Sequence, residues 1–225
     1  MKVMVMASGG KDSCALTMFL ADNVGAENIL MFTNDNGFMS EAAWENLTKL
    51  QEITGCQHYI HHEPMKHLQI ITDFFSNKKQ GMPDVCGKCT KLAQINAAHI
   101  AVDLGIRMIY TGNTLSNFPS GQAKVQTSLI LKGNVIRFGH PFVEEYNYPG
   151  IITVCEQNGF EWDPRFTNCK FIRSILRLHF NRFGNNPYEE ELQGLYNQGH
   201  ISELYYNQLQ YFCTGRPIYN MTGVL

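Results

Sequence analysis

The sequence predicts an α/β protein: a Rossmann-like parallel sheet of about five strands followed by a helical C-terminal segment. Three observations carry that expectation. An apolar run, Val3-Met4-Val5-Met6, passes directly into a glycine-rich loop and a helix. Strand-like and helix-like segments then alternate as far as residue 113, the order of successive βαβ units. From about residue 166 to 211 the pattern is helical throughout. The chain has 225 residues, 44% of them hydrophobic, enough to bury one domain core, assigned to residues 1–165 with residues 166–225 as a helical segment packed on it.

After the first loop, residues 14–23 carry Leu16, Phe19 and Leu20 at helical spacing, and Gly25 ends the helix. Residues 28–34 read as a buried strand, and Asp35-Asn36-Gly37 is turn chemistry at its carboxyl end. Residues 40–54 form a helix capped by Ser40, with Ala43, Trp44, Leu47, Leu50 and Ile53 on its apolar face and Gly55 closing it. A third strand is expected over 58–62 and an amphipathic helix over 67–75. A polar break over 76–83 precedes a helix from near Lys88 to about Leu104, and residues 108–113 form a fourth strand ending in Thr111-Gly112-Asn113. Residues 114–128 are a long loop, of the kind that is often functional, with Lys124 its only cation. Residues 129–138 are apolar and include a short strand, and a helix holding Ile151, Ile152 and Val154 follows.

Composition narrows the function classes. A net charge of -2 and a pI near 6.4 provide no global basic field for nucleic acid, which favours a small-molecule acceptor. No apolar run reaches the ~18 residues of a membrane span, and the N-terminus lacks the order of a signal peptide, so a cytoplasmic protein with no membrane partner is expected. Seven cysteines in a reducing compartment read as thiols or metal ligands, most of them plain core residues. His58, His61, His62 and His67 cluster near the third strand, but neighbouring strand positions point to opposite faces and no ligand spacing accompanies them, so a polar strand end is the better reading.

Ala7-Ser8-Gly9-Gly10-Lys11-Asp12-Ser13 carries the chemistry. Gly9 and Gly10 let the backbone approach an anion, Ser8 and Ser13 offer hydroxyls, Lys11 offers charge, and the following helix aims its N-terminal N–H groups at the same spot. The loop matches neither G-x-x-x-x-G-K-[ST] nor G-x-G-x-x-G. Because ligands of open α/β sheets lie beyond the strands' carboxyl ends, Thr33, Asn34 and Asp35 are expected to face the same crevice; a plain turn is the competing reading of Asp35.

Cys86-Gly87-Lys88-Cys89 is half of a metal site or a redox pair, since a turn between the thiols brings both sulfurs to one side. Cys169 lies 80 residues beyond Cys89, at the start of a predicted helix. Alone it reads as a buried small hydrophobe. Together the three thiols have the number that holds a [4Fe-4S] cluster while leaving one iron open.

The six residues Ser8-Gly9-Gly10-Lys11-Asp12-Ser13 resemble the signature of the PP-loop ATP pyrophosphatases, of the adenine nucleotide alpha hydrolase-like fold. The resemblance implies cleavage of ATP between its α and β phosphates with adenylylation of an acceptor. Residues 1–180 look most like the tRNA thiolation enzymes of that family, in which a C-x-x-C and one later cysteine bind a cluster. That implies Cys86, Cys89 and Cys169 as ligands and Cys169 near the chemistry. Tyr110-Thr111-Gly112-Asn113 is similar to the family's T/L-G-H/N turn, and the stretch from Ile136-Arg137 to Glu144-Glu145 to its R-P-L…E-E segment, with Phe138-Gly139-His140 intervening. Nucleotide contacts are thus expected from Ala7 to Ser13 and, by the resemblance, from Gly112 and Asn113, with Thr33, Asn34 and Asp35 added by their place at the strand's carboxyl end and Lys124 by its place in the long loop. Lys11, Asp12 and Ser13 stand at the phosphates, with Asp12 or Asp35 on Mg²⁺. It further implies a sulfur donor, either sulfide or a persulfide carrier, and allows a homodimer. The zinc-ribbon pairs and basic regions of several tRNA-acting members are absent.

Two alternatives stay open. Asp35-Asn36-Gly37-Phe38, Met82-Pro83 before Cys86, and Gln198-Gly199-His200-Ile201-Ser202-Glu203 resemble the N-acetyl sugar amidotransferases, which deliver ammonia from a partner glutaminase. A non-catalytic module sensing ATP or AMP is the other.

Overall fold

The computed structural model describes residues 2–113, 127–144 and 148–216. Its sheet has six strands in the order β3-β2-β1-β4-β6-β5. These are β1 (Val3–Met6), β2 (Ile29–Asp35), β3 (Gln57–His62), β4 (Met108–Thr111), β5 (Ser128–Leu131) and β6 (Asn134–Gly139). β1 lies parallel between β2 and β4, with Met4 paired to both Leu30 and Ile109. The chain winds outward to β3 on one side of β1 and then restarts at β4 on the other, so a crevice opens at the carboxyl ends of β1 and β4.

The sheet departs from the expected five parallel strands at its far edge. Residues 128–139 make a hairpin whose β5 runs antiparallel to β6, while β6 is parallel to β4. The two-residue turn Lys132-Gly133 has φ of 49° and 73°, the left-handed pair that matches strand twist.

Helices cover both faces. On one, α1 (Lys11–Val24), α2 (Glu41–Thr54) and α6 (Tyr148–Gln157) pack on β1 and β2 through Val5, Leu16, Met31, Leu47, Leu50 and Cys155. On the other, α4 (Met82–Asp103) lays Ala97, Ala98 and Ala101 against Met4, Ile109 and Ile136. α3 (Pro64–Ser76) lies beside α4, and α5 (Pro141–Glu144) is a single turn after β6. As expected, Ser40 caps α2 by accepting from Ala43 N at 3.2 Å, and Gly55 ends it with φ 68°.

Two helix starts differ from the sequence reading. α3 begins at Pro64 and α4 at Met82, ahead of the expected 67 and 88. Proline lacks the N–H that the first helical turn leaves unpaired anyway, so Pro64 opens α3 early and Pro83 opens α4 where a break was expected. Asp84 reinforces the second start by accepting from Gly81 N at 2.7 Å. Cys86 and Cys89 consequently sit on a helix, three residues apart on one face, and not around a turn.

The C-terminal part is divided into α7 (Pro164–Thr167), α8 (Ile172–Phe183), α9 (Glu189–Asn197) and α10 (Glu203–Thr214). Ile172, Ile175, Leu176, Leu192 and Leu209 pack against Ile71, Phe74 and Val85 of α3 and α4. Arg182 fastens this contact by donating to the carbonyls of Phe74, Phe75 and Gln80 at 3.1, 3.2 and 2.9 Å, where α3 leaves acceptors unpaired. Among the described residues no helix is long and apolar enough to cross a membrane.

Candidate active site

The loop between β1 and α1 is held from three sides. Ser13 Oγ donates to Gly10 O at 3.0 Å and accepts from Ser8 N at 3.1 Å, with Ser8 Oγ also 3.1 Å away, so the two hydroxyls brace the turn from within. Asn46 of α2, 1% exposed, donates to Gly9 O at 2.8 Å. Thr33 Oγ1 donates to Ala7 O at 2.7 Å, tying the loop to β2. Gly9 has φ 75°, and a Cβ there would stand 2.2 Å from Ala43 O, so only glycine fits. Gly112 packs onto the start of α1, where a Cβ would meet Ser13 N at 3.0 Å.

α1 starts at Lys11 with Gly10 at its N-cap and no side-chain cap, which sets the N-terminal end of a helix, the end that favours an anion, beside the loop. Lys11 Nζ pairs with Asp12 Oδ2 at 2.8 Å.

At the end of β2 three of the four clustered histidines bond separate partners. His58 Nε2 bonds Thr33 Oγ1 at 2.8 Å, His62 Nδ1 bonds Asp35 Oδ2 at 2.7 Å, and His67 Nε2 bonds Asn34 Nδ2 at 2.8 Å. Burial lowers the pKa of His58 and His67 below the ordinary histidine value. Asp35 Oδ1 also accepts from Gly37 N at 2.8 Å, so this carboxylate makes the plain turn.

The three predicted thiols come together although α4 and the stretch before α8 are far apart in sequence. Burial raises the Cys86 thiol to about 12, with the proximity of Cys169 and then Cys89 adding to it. Burial and Cys169 raise Cys89 to about 11. Burial also raises Cys169, but hydrogen bonds from the backbone of Phe171 and Ile172 oppose the shift. All three are free and half-buried, whereas Cys14, Cys56, Cys155 and Cys213 are buried.

Among the described residues no group of three or more His, Cys, Asp or Glu side chains could hold a metal ion. A single zinc draws its thiolates to ~2.3 Å from one centre. An iron–sulfur cluster takes each cysteine on a different iron, and Cys86, Cys89 and Cys169, each partly buried, supply that group's donor type. Bound iron would replace the thiol protons and relieve the charge that burial disfavours.

One cavity of about 400 Å³ joins the two halves. Ala7, Ser8, Gly10, Lys11, Asp12 and Asn34 line it from the sheet, Cys89 and Cys169 from the helices. Gly9, Ser13, Thr33, Asp35, Gly112, Asn113 and Cys86 are not among the residues that line it. Lys124 lies outside the described residues. Asn46, His67, Asn96 and Trp162 were not singled out as site residues from sequence; His67 and Trp162 line the cavity, Asn46 holds the loop, and Asn96 Nδ2 bonds Asn34 Oδ1 at 2.8 Å.

No protein-family profile and no curated protein matches the sequence. Solved structures do match the fold. The U34-tRNA thiolase NcsA from Methanococcus maripaludis, solved with its [4Fe-4S] cluster, superposes with a TM-score of 0.56 at 15% identity, over 93% of this chain and 71% of that one. A predicted subunit of tRNA methyltransferase from Methanocaldococcus jannaschii superposes with a TM-score of 0.50 at 16% identity, over 84% and 91%. The fold, a Rossmann-like α/β one with a mostly parallel sheet, is shared with these structures.

Proposed function

We propose that the protein is an ATP-dependent sulfurtransferase that adenylylates a carbonyl-type oxygen of a small acceptor and replaces it with sulfur. The observation that supports this most is the single cavity lined by the phosphate loop and by Cys89 and Cys169. The acceptor oxygen attacks the α phosphorus and pyrophosphate leaves with the bridging electron pair. A sulfur nucleophile then adds to the acceptor carbon, and AMP departs with the former carbonyl oxygen.

Lys11, the amides at the start of α1 and the hydroxyl of Ser8 neutralise the charge that grows on the leaving pyrophosphate. Asp12 would hold Mg²⁺ there in this reading. Cys86, Cys89 and Cys169 would hold a [4Fe-4S] cluster, which when bound supplies an iron open to a sulfur ligand. The bonds from the Phe171 and Ile172 backbone favour the Cys169 thiolate, the form a metal needs. Sulfide or a persulfide carrier is the donor in this reading, and the likeness to a cluster-bearing tRNA thiolase supports it at the level of fold.

The test is a metabolite screen with α-labelled ATP under anaerobic conditions. The proposal expects AMP and pyrophosphate that depend on an added acceptor and on sulfide. Turnover with ammonia in place of sulfide would establish the amidotransferase alternative, and tight ATP binding without pyrophosphate under any acceptor would establish a sensor.

A further inference from the structure

The sheet ends on one side at β3, and among the described residues no strand pairs with its outer side. Glu63 N, directly after β3, donates to Asp35 O at 2.9 Å, so the odd-numbered residues of this stretch turn their backbone groups to β2. Alternate residues of a strand face opposite sides, which leaves the N–H and C=O of His58, Ile60 and His62 directed at the open edge. Such edges are blunted in other proteins by shortness, lysine, proline or a bulge. β3 is six residues long, Gln57-His58-Tyr59-Ile60-His61-His62, with none of those residues and with unbroken register against β2. The opposite edge strand, β5, has four residues and ends beside Lys132. Apolar surface accompanies the β3 edge. Ile60 is 50% exposed on one face of the sheet and Tyr59 is exposed on the other, while Ile53 shortly before the strand and Met65 shortly after it are exposed as well.

We propose that β3 is the contact of a homodimer, in which it pairs antiparallel with β3 of a second copy and Ile60 lies on the two-fold axis. A symmetric antiparallel pair sets residues with outward backbone groups opposite one another, and centring it on Ile60 uses all three: His58 faces the partner's His62, and Ile60 faces the partner's Ile60. On the other face Tyr59 then lies opposite the partner's His61, extending the stacked row in which Phe32 meets Tyr59 and His61. Gln57 lies opposite the partner's Glu63. Lys2 Nζ donates to Gln57 Oε1 at 3.4 Å, so the register brings Lys2 of each copy to Glu63 of the other, opposite charges at both ends of the pair. A register centred on Tyr59 would leave His62 unpaired and separate these charges. The strand contains no Asp, Glu, Lys or Arg to oppose its own copy. The contact is independent of the adenylylation reading.

The test is analytical ultracentrifugation of the reduced protein from about 1 to about 200 μM, with hydrogen exchange followed amide by amide at both ends of that range. The proposal expects a reversible monomer–dimer equilibrium. The amides of His58, Ile60 and His62 should exchange slowly only where the dimer is populated, whereas those of Tyr59 and His61, bonded to β2, are protected throughout. Ile60→Lys sets two ammonium groups against each other on the axis and should weaken the dimer about tenfold or more. Because Ile60 is half exposed, the urea midpoint of the monomer should hold in that variant. Lys2→Glu should weaken the dimer severalfold, and Lys2→Glu combined with Glu63→Lys should restore it. A protein that stays monomeric across the range, a dimer in which the three outward amides remain fast, or a dimer that Ile60→Lys leaves intact would overturn the proposal. A double variant weaker than Lys2→Glu alone would overturn the register, and the proposal with it.

Discussion

The phosphate-loop side and the thiol side of the cavity are assembled by different means. The first is nearly contiguous: residues 7–13 follow β1 directly, and Thr33 and Asn46 hold them from the adjoining β2 and α2. The second depends on α8 docking on α3 and α4 through the core of Ile71, Phe74, Val85, Ile175 and Leu176, with α10 packed against α8, which brings Cys169 toward Cys86 and Cys89. One side thus depends on backbone conformation over seven residues, and the other on long-range apolar packing. Mutations should separate the two.

The largest expected effect is Gly9→Ala. The left-handed φ costs ~1–2 kcal/mol and the collision with Ala43 O ~1–3 more, so a loss of about 4 kcal/mol in urea unfolding is expected, together with loss of ATP-analogue binding. Next is Ile175→Ala, a buried truncation that should cost about 3 kcal/mol and loosen the docking of α8. If the two sides are independent, iron binding falls in that variant while the affinity for the ATP analogue holds; equal losses would break the comparison. Lys11→Ala removes a charge-assisted contact made most strongly in the transition state, and should slow acceptor-dependent pyrophosphate release about 100-fold or more without changing iron content. Unchanged release would exclude Lys11 from the phosphate site.

The smallest effect is that of acid. His58, His67 and His179 have pKa values lowered by burial, so each adds stability that is present above the unfolded value near 6.5 and is lost as pH falls through the folded values. The urea midpoint should therefore fall between pH 7 and 5. His179 connects this to the thiol side, since its Nδ1 accepts from Met82 N at 3.0 Å at the start of the cysteine helix, a bond that protonation abolishes. A midpoint that rose on acidification would contradict the sign.

The same contrast explains what was legible in the sequence. The loop, the Ser40 and Gly55 caps and the order of β1 to β4 are local chemistry and were readable residue by residue. Pro83 was read as a break because its position relative to Gly81 and Asp84 decides whether it stops a helix or starts one. Position at the carboxyl end of β2 points Thr33, Asn34 and Asp35 to the crevice, but sequence does not say which side chains are already engaged: Thr33 holds Ala7, Asp35 makes a turn, and Asn34 alone of the three lines the cavity. Asn34, His67 and Asn96 form one relay whose outer members, 33 and 62 residues from Asn34, have no spacing signal.

The central claim, that three thiols and an ATP loop serve one cavity, is tested most directly by anaerobic reconstitution with iron and sulfide, followed by iron counting in the unmodified protein and in Cys86→Ala, Cys89→Ala and Cys169→Ala. The account predicts brown protein with about four irons per chain, lost in all three variants while each still binds the ATP analogue. A colourless protein, one bound zinc, or a Cys169→Ala variant that keeps its iron would contradict it.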